Sequence, residues 1–135
     1  MQWHAVRAGP AQGVIAEVPA DAVGPTRKEL PVATFHHVGV PTDQPQPDEV
    51  YLDGAKVYIT NADTHPYRFE YLRFEPDTPL PERMQTNPHV AYMVDDLDAA
   101  LEGESILMEP FEAMDGLRVA FIVKDGVVVE LMQEV

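Results

Sequence analysis

The chain has 135 residues, contains no cysteine and carries a formal charge of −14 at pH 7. The length favours one main domain with a core of its own, and the missing cysteines exclude disulfides, thiolate metal sites and cysteine nucleophiles. All of the acidic excess lies in residues 33–135, because acidic and basic side chains cancel before that point. Such an acidic surface makes nucleic acid and membranes poor partners.

The first 32 residues differ in composition from the rest, and we interpret them as an N-terminal extension to a domain at 33–135. Four prolines interrupt this stretch, so that only Gly13–Val18 resembles a strand. Trp3 and His4 are interpreted as local packing residues. The sequence shows neither a signal-type leader nor an apolar run long enough to span a bilayer, so we expect a cytoplasmic protein.

Three strands are predicted in the first half of the domain. Thr34–Val40 is rich in β-branched and aromatic residues and is ended by a proline, and Lys56–Thr60 is a shorter run of the same kind. Tyr67–Glu75 alternates apolar and charged residues, as a half-buried strand does. The proline-rich residues 41–49 exclude regular structure between the first two strands.

The second half is predicted to contain a strand, a helix and three further strands. A proline-punctuated crossover, Pro76–Pro88, leads to the strand His89–Val94. The helix Asp95–Leu101 follows, because Asp95 or Asp96 can cap it and an acidic first turn suits its dipole. The remaining strands are Ile106–Met108, Val119–Val123 and Val127–Met132, with Asp125-Gly126 as a two-residue hairpin turn between the last two.

A weak internal repeat connects the two halves. The segment His37-Val38-Gly39-Val40 resembles His89-Val90-Ala91-Tyr92, and Phe69-Glu70-Tyr71-Leu72 resembles Val129-Glu130-Leu131-Met132. Each half therefore begins with a strand that carries a histidine and ends with a strand that carries a glutamate. Two βαβββ units side by side would bring two imidazoles and two carboxylates together around a pseudo-twofold axis. This donor set suits Zn, Ni, Co, Mn or Fe(II).

Four motifs in this order resemble the vicinal-oxygen-chelate superfamily, to which glyoxalase I and methylmalonyl-CoA epimerase belong: FHHVGVP, RFEYLRFEP, PHVAYMVDDLDAAL and VVVELMQ. The resemblance covers residues 34–135 and implies a small, homodimeric glyoxalase-like protein. It implies an α+β fold in which paired βαβββ modules, at about 33–80 and 88–135, form a curved mixed sheet. It also implies a divalent metal held by His37, Glu70, His89 and Glu130. Because prolines follow the first strand, we expect the helix of the first module to be reduced or absent.

The alternation of side chains along a strand distinguishes the two adjacent histidines. Only one of them can face the site, and the match to His89 selects His37, which leaves His36 as a packing residue on the other face. Glu130 lies in the apolar run VVVELM, where its carboxylate needs a metal or an arginine as partner. Glu70 has arginines nearby in the sequence, so a surface ion pair is the alternative for it.

The same strand faces are expected to line a pocket for a small-molecule substrate. The apolar candidates are Leu72, Ala91, Met93, Phe121 and Met132. Arg73 and Arg118 are candidates for holding a carboxylate or phosphate by a bidentate contact. Surface ion pairs are the alternative for both arginines.

Three functions are consistent with these residues. The first is a metal-dependent lyase or isomerase of the glyoxalase or epimerase type, in which Glu130 or Glu70 moves a proton of a small, oxygen-chelating substrate. The second is an iron-dependent ring-cleaving dioxygenase, against which the short chain and the fourth donor argue. The third is a non-catalytic, resistance-type protein that binds a small molecule, although such proteins typically lack the metal ligands.

Overall fold

Eight strands and two short α-helices make up the regular structure of residues 32–135, the part of the chain that this computed structural model describes. The strands are β1 (Ala33–Pro41), β2 (Val50–Leu52), β3 (Val57–Ile59), β4 (Phe69–Phe74), β5 (His89–Val94), β6 (Ser105–Met114), β7 (Leu117–Lys124) and β8 (Val127–Glu134). The helices are α1 (Glu82–Thr86) and α2 (Leu97–Leu101), and Ala62–Thr64 forms a 3-10 turn. The predicted extension, with Gly13–Val18, Trp3 and His4, lies outside the described residues except for Val32.

The strands form one mixed sheet in the order β2-β3-β4-β1-β5-β8-β7-β6. This order is symmetric about the antiparallel pair of β1 and β5. Each of these two inner strands pairs in parallel with the last strand of its own module, β4 or β8. The sheet curls into a half-barrel. The predicted α+β fold with paired modules is therefore confirmed, and the pseudo-twofold axis passes between β1 and β5.

The first module has no helix between β1 and β2. Residues 42–49 cross this gap as bends and turns, with the backbone of Asp48 in the left-handed region at a φ of 61°. The prediction that the first-module helix is reduced or absent is confirmed, because the prolines of this segment interrupt helical hydrogen bonding. Strand β2 is not predicted by the sequence analysis, since three residues are too few to show a period.

Two further elements differ from the predicted ones. The crossover between the modules contains α1, which begins after Pro81 and is anchored by Met84, a side chain that is 2% exposed. A proline just before a helix is tolerated because the first helical turn does not need its N–H. Strand β6 runs on past Pro110, because β6 is an edge strand and its register shifts between Met108 and Phe111.

Helix α2 covers one face of the second module. Leu97 is fully buried between this helix and β7, where it packs in a cluster with Ile122. Phe121, the neighbour of Ile122, belongs to the cluster on the opposite face of the sheet. The carboxylate of Asp96 accepts a hydrogen bond from an N–H in the first turn, which confirms the predicted cap. Among residues 32–135, no helix has the length and apolar character needed to cross a membrane.

A two-residue turn joins β7 to β8. Its residues Asp125 and Gly126 have φ values of 52° and 82°. Both values lie in the left-handed region that a type I′ hairpin needs, so the predicted hairpin is confirmed. The register that follows from this turn places Phe121 opposite Glu130.

Candidate metal centre

The four predicted ligands lie on the four central strands of the sheet. His37 is on β1, Glu70 on β4, His89 on β5 and Glu130 on β8, and all four line one cavity. Strands β1 and β5 are antiparallel to each other, and each is parallel to its other neighbour, β4 or β8. The two modules therefore contribute one histidine and one glutamate each from equivalent places.

Two small residues make room for these side chains. Gly39 lies opposite His89 on one side and opposite Glu70 on the other. Ala91 takes the equivalent place in the second module, between the other histidine and the other glutamate, and it is fully buried. A Cβ atom added to Gly39 would lie 2.0 Å from Cε1 of His89, so the imidazole occupies space that only a glycine leaves free.

The donor atoms have the spacing of a coordination sphere. Oε1 of Glu130 lies 3.0 Å from Nε2 of His89 and 3.3 Å from Nε2 of His37, and Oε1 of Glu70 lies 3.5 Å from Nε2 of His37. Ligands at about 2.1 Å from one ion are about 3.0 Å apart along an octahedral edge and about 3.4 Å along a tetrahedral edge. These distances therefore fit a divalent ion.

Burial gives a second reason to expect an ion. His37 and His89 are each 1% exposed and Glu130 is 8% exposed. Nε2 of His37 is buried without a hydrogen-bond partner although it points at two carboxylates. An unsatisfied buried nitrogen is costly, and a cation at this point would satisfy it together with the carboxylates. His37, His89 and Glu130 can thus hold a metal ion, with Glu70 as an adjacent fourth donor.

The two carboxyl groups of the centre differ in their electrostatic environment. Burial raises the pKa of Glu70 to about 7, and the negative charge of Glu130 adds to the effect while His37 opposes it. Burial also acts on Glu130, but its close contacts with His37 and His89 outweigh that effect and hold its pKa below the usual range. Glu130 is therefore ionised at neutral pH, whereas Glu70 takes up a proton at a higher pH than an ordinary glutamate does.

His36 contacts a ring nitrogen of the predicted ligand His37, so it does more than pack on the other face of the strand. Its Nδ1 lies 2.8 Å from Nδ1 of His37, beside the register shift between Phe35 and His37 on β1. Burial, followed by the charges of His37 and Arg68, lowers the pKa of His36 and favours its neutral form. Neutral His36 can accept a hydrogen bond from Nδ1 of His37, which leaves the lone pair of Nε2 directed at the site.

Of the predicted pocket residues, Leu72 and Met132 line the cavity, and so does Phe121. Its ring meets the imidazole of His89 edge to face, with centroids 5.3 Å apart. Met93 is partly buried against the core and is not part of the lining. Arg73 binds the carboxylate of Glu49 through two hydrogen bonds of 2.9 and 2.7 Å, away from the cavity.

Arg118 also lies outside the cavity lining, 3.1 Å from the carboxylate of Asp98 on α2. For both arginines the ion-pair alternative is the one found. The alternation of side chains along a strand contains the signal. Arg73 is three residues from Glu70 on β4, and Arg118 is three residues from Phe121 on β7, so each arginine points to the face opposite the cavity. Once the ligands are assigned to one face, the arginines belong to the other.

The cavity has a volume of about 480 Å³ and is mostly apolar. Residues from both modules line it, including Leu72, Val119 and Met132 from the central strands. Met84 of α1 and Phe111 of β6 also contribute, and sequence reasoning missed both because it did not predict α1 or the second half of β6. A cavity of this size suits a small organic molecule.

Replacing Gly39 by alanine is expected to displace the His89 ring. The added Cβ overlaps that ring, so we expect the Kd for Zn²⁺ to rise by at least about tenfold and unfolding in urea to become easier by about 1–3 kcal/mol. Competition with a chromophoric chelator measures the first and circular dichroism the second. Gly54→Ala is the matched control, since a Cβ there meets no atom within 4 Å. Unchanged zinc affinity in Gly39→Ala would contradict the close packing of the His89 ring against Gly39.

His36 should affect metal binding through its hydrogen bond rather than through packing. We expect His36→Phe to weaken zinc binding about 10–100-fold, whereas His36→Asn, which keeps an acceptor near the position of Nδ1, should weaken it less. His37→Ala should abolish tight binding. Equal affinities for the phenylalanine and asparagine variants would show that the contact between the two histidines does not orient the ligand.

Comparisons with known proteins agree with the fold and do not extend to function. No protein-family model matches the sequence, and no curated protein is similar enough to count as a relative. Among solved structures, the chain is similar to a hypothetical protein from Bacillus halodurans C-125, with a TM-score of 0.59 and 16% identity, over 77% of this chain and 96% of that one. Such low identity shows the fold alone. The curled, mixed eight-stranded half-barrel is compatible with the vicinal-oxygen-chelate fold, and family membership stays a prediction.

Proposed function

We propose that this protein is a divalent-metal-dependent lyase or isomerase of the glyoxalase type. The observation that carries the proposal is the buried group of His37, His89 and Glu130, which borders a cavity for a small molecule. Oε1 of Glu130 lies 3.3 Å from Nε2 of His37 and 3.0 Å from Nε2 of His89. The substrate would present adjacent oxygens to the ion. When bound, the ion would act as a Lewis acid on those oxygens.

Within this proposal, the two glutamates have different tasks. Glu130 contacts both imidazoles and is ionised, so it serves as a permanent ligand. Glu70 contacts only one imidazole, and burial raises its pKa in the metal-free site, so it is the carboxylate that can leave the ion and act as a base. Glu70 would remove a proton from the carbon next to a substrate carbonyl and deliver it to a neighbouring carbon or oxygen.

An iron-dependent ring-cleaving dioxygenase is the second candidate. Two histidines and one carboxylate are the ligand set of many non-haem iron oxygenases, and His37, His89 and Glu130 form this set. Loading with Fe(II) without oxygen, followed by aerobic assay with a catechol, separates the two candidates. Formation of a ring-opened product would favour the dioxygenase, and the lyase or isomerase requires activity with a redox-inert ion.

Metal binding should be linked to the release of protons. Since burial raises the pKa of Glu70 to about 7, the metal-free site holds a proton at lower pH that the ion must displace. We therefore expect about one Ni²⁺ per chain, with an affinity that falls as the pH drops from about 8 to about 6. Calorimetry in buffers of different ionisation enthalpy counts the protons released at each pH.

Glu70→Gln is the control for this linkage. It removes the carboxyl group but keeps an oxygen ligand, so it should release fewer protons than the wild type near pH 6.5. Affinity that is indifferent to pH would contradict the assignment of Glu70. A protein with no saturable site would exclude metal-dependent chemistry and leave the resistance-type binding protein.

The amide variants should also separate the two glutamates in catalysis. Glu70→Gln is expected to retain metal and lose turnover by about 10²–10⁴-fold, which is the usual contribution of a positioned base. Glu130→Gln should mainly lose metal affinity. The readout is solvent deuterium incorporated next to the carbonyl of α-hydroxyketones and hemithioacetals. Full exchange activity in Glu70→Gln would mean that another group moves the proton.

A further inference from the structure

The cations of residues 32–135 are all engaged away from the cavity. Five of the six are within 4.0 Å of a carboxylate, in the pairs Lys56–Asp77, Arg68–Asp63, Arg73–Glu49, Arg118–Asp98 and Lys124–Glu104. The sixth, Arg83, donates a hydrogen bond to the backbone carbonyl of Gly126. None of these six side chains lines the cavity. A carboxylate or phosphate of a substrate would find no cationic side chain of this part of the chain to bind.

The charged groups that do line the cavity are acidic. Glu70 and Glu130 lie at the candidate centre, and their two negative charges balance a divalent ion held between them. Asp53 and Glu112 are exposed members of the lining, where they add negative charge that no ion offsets. An anion that enters the cavity is therefore repelled, and the dication does not reverse the field because its own ligands neutralise it.

The rest of the lining favours an apolar molecule. Leu52, Val57 and Ile59 border the cavity from the first module, and Met108, Phe111 and Leu117 border it from the second. Each apolar group that a ligand buries against such a surface adds to its affinity at about 25 cal/mol per Å². Polar contacts are concentrated at the candidate centre, so a fitting ligand is polar at one end and apolar along its body.

We propose that the site takes uncharged, largely apolar molecules that present adjacent oxygens to the metal, and that it discriminates against substrates carrying carboxylate or phosphate groups. This inference rests on the proposed function for the role of the metal. It deepens that function by excluding the anionic carriers, such as thioester or phosphate conjugates, on which other metal-dependent lyases and isomerases can act.

The test compares three small probes on the zinc-loaded protein by ligand-observed nuclear magnetic resonance titration. The probes are 2-hydroxyacetophenone, which is neutral and aromatic, benzoylformate, which has the same ring and adjacent oxygens but carries a negative charge, and hydroxyacetone, which lacks the ring. We expect 2-hydroxyacetophenone to bind at least about tenfold more tightly than either of the others. Benzoylformate that binds equally well or better would overturn the proposal, and so would failure of 2-hydroxyacetophenone to bind.

A pair of charge variants tests whether the acidic lining causes the discrimination. Glu112→Lys places a cation in the lining and should reduce the preference for the neutral probe at least about threefold. Glu109→Lys makes the same change of net charge at an exposed position of β6 outside the lining, and should leave the preference unchanged. If the two variants change the preference for the neutral probe equally, the acidic lining is not the cause of the discrimination. The readout is binding, so a protein that binds as expected but exchanges no deuterium would refute the proposed function and not this inference.

Discussion

The imidazole of His89 lies against the backbone of Gly39 on the neighbouring strand, in the space that any side chain at Gly39 would fill. Gly39 also lies opposite Glu70, so this one position sets the approach of three strands, β4, β1 and β5. Because the inner strands come this close, the rings of His37 and His89 lie with centroids 5.6 Å apart. The spacing of the donors, and with it the fit to a small divalent ion, depends on this packing of a ring on a glycine.

The two modules are equivalent in topology but not in environment. His37 has His36 as a hydrogen-bond partner at its second ring nitrogen, whereas Nδ1 of His89 is buried without one. Glu130 contacts both histidines and is held ionised, while burial without comparable contacts raises the pKa of Glu70 to about 7. A near-symmetric set of ligands is thereby divided into a fixed charge and a group with a raised pKa, and the proposed function assigns the role of base to the second.

Much of the fold was predictable because it is encoded by short-range patterns. Runs of β-branched and aromatic residues and period-two alternation predicted seven of the eight strands, the capping aspartate predicted α2, and Asp125-Gly126 predicted the hairpin. Strand β2 was missed because it is stabilised by its pairing with β3 and is too short to carry a pattern. Helix α1 and the end of β6 were missed because prolines disfavour both, and burial of Met84 and the edge position of β6 compensate.

Along the regular stretches of the strands, the sequence by itself determined which residues share a face of the sheet. The repeat of a histidine strand and a glutamate strand determined which four side chains form the predicted ligand set. Only the tertiary structure decided that Glu130 contacts both imidazoles, that Glu70 is the more basic carboxyl group, and that Arg73 is committed to Glu49. The physical reason is that distances and pKa values depend on pairing and burial between residues far apart in the chain. The register shift on β1 and the contact of His36 with His37 beside it are likewise set by strand pairing, which no local sequence pattern predicts.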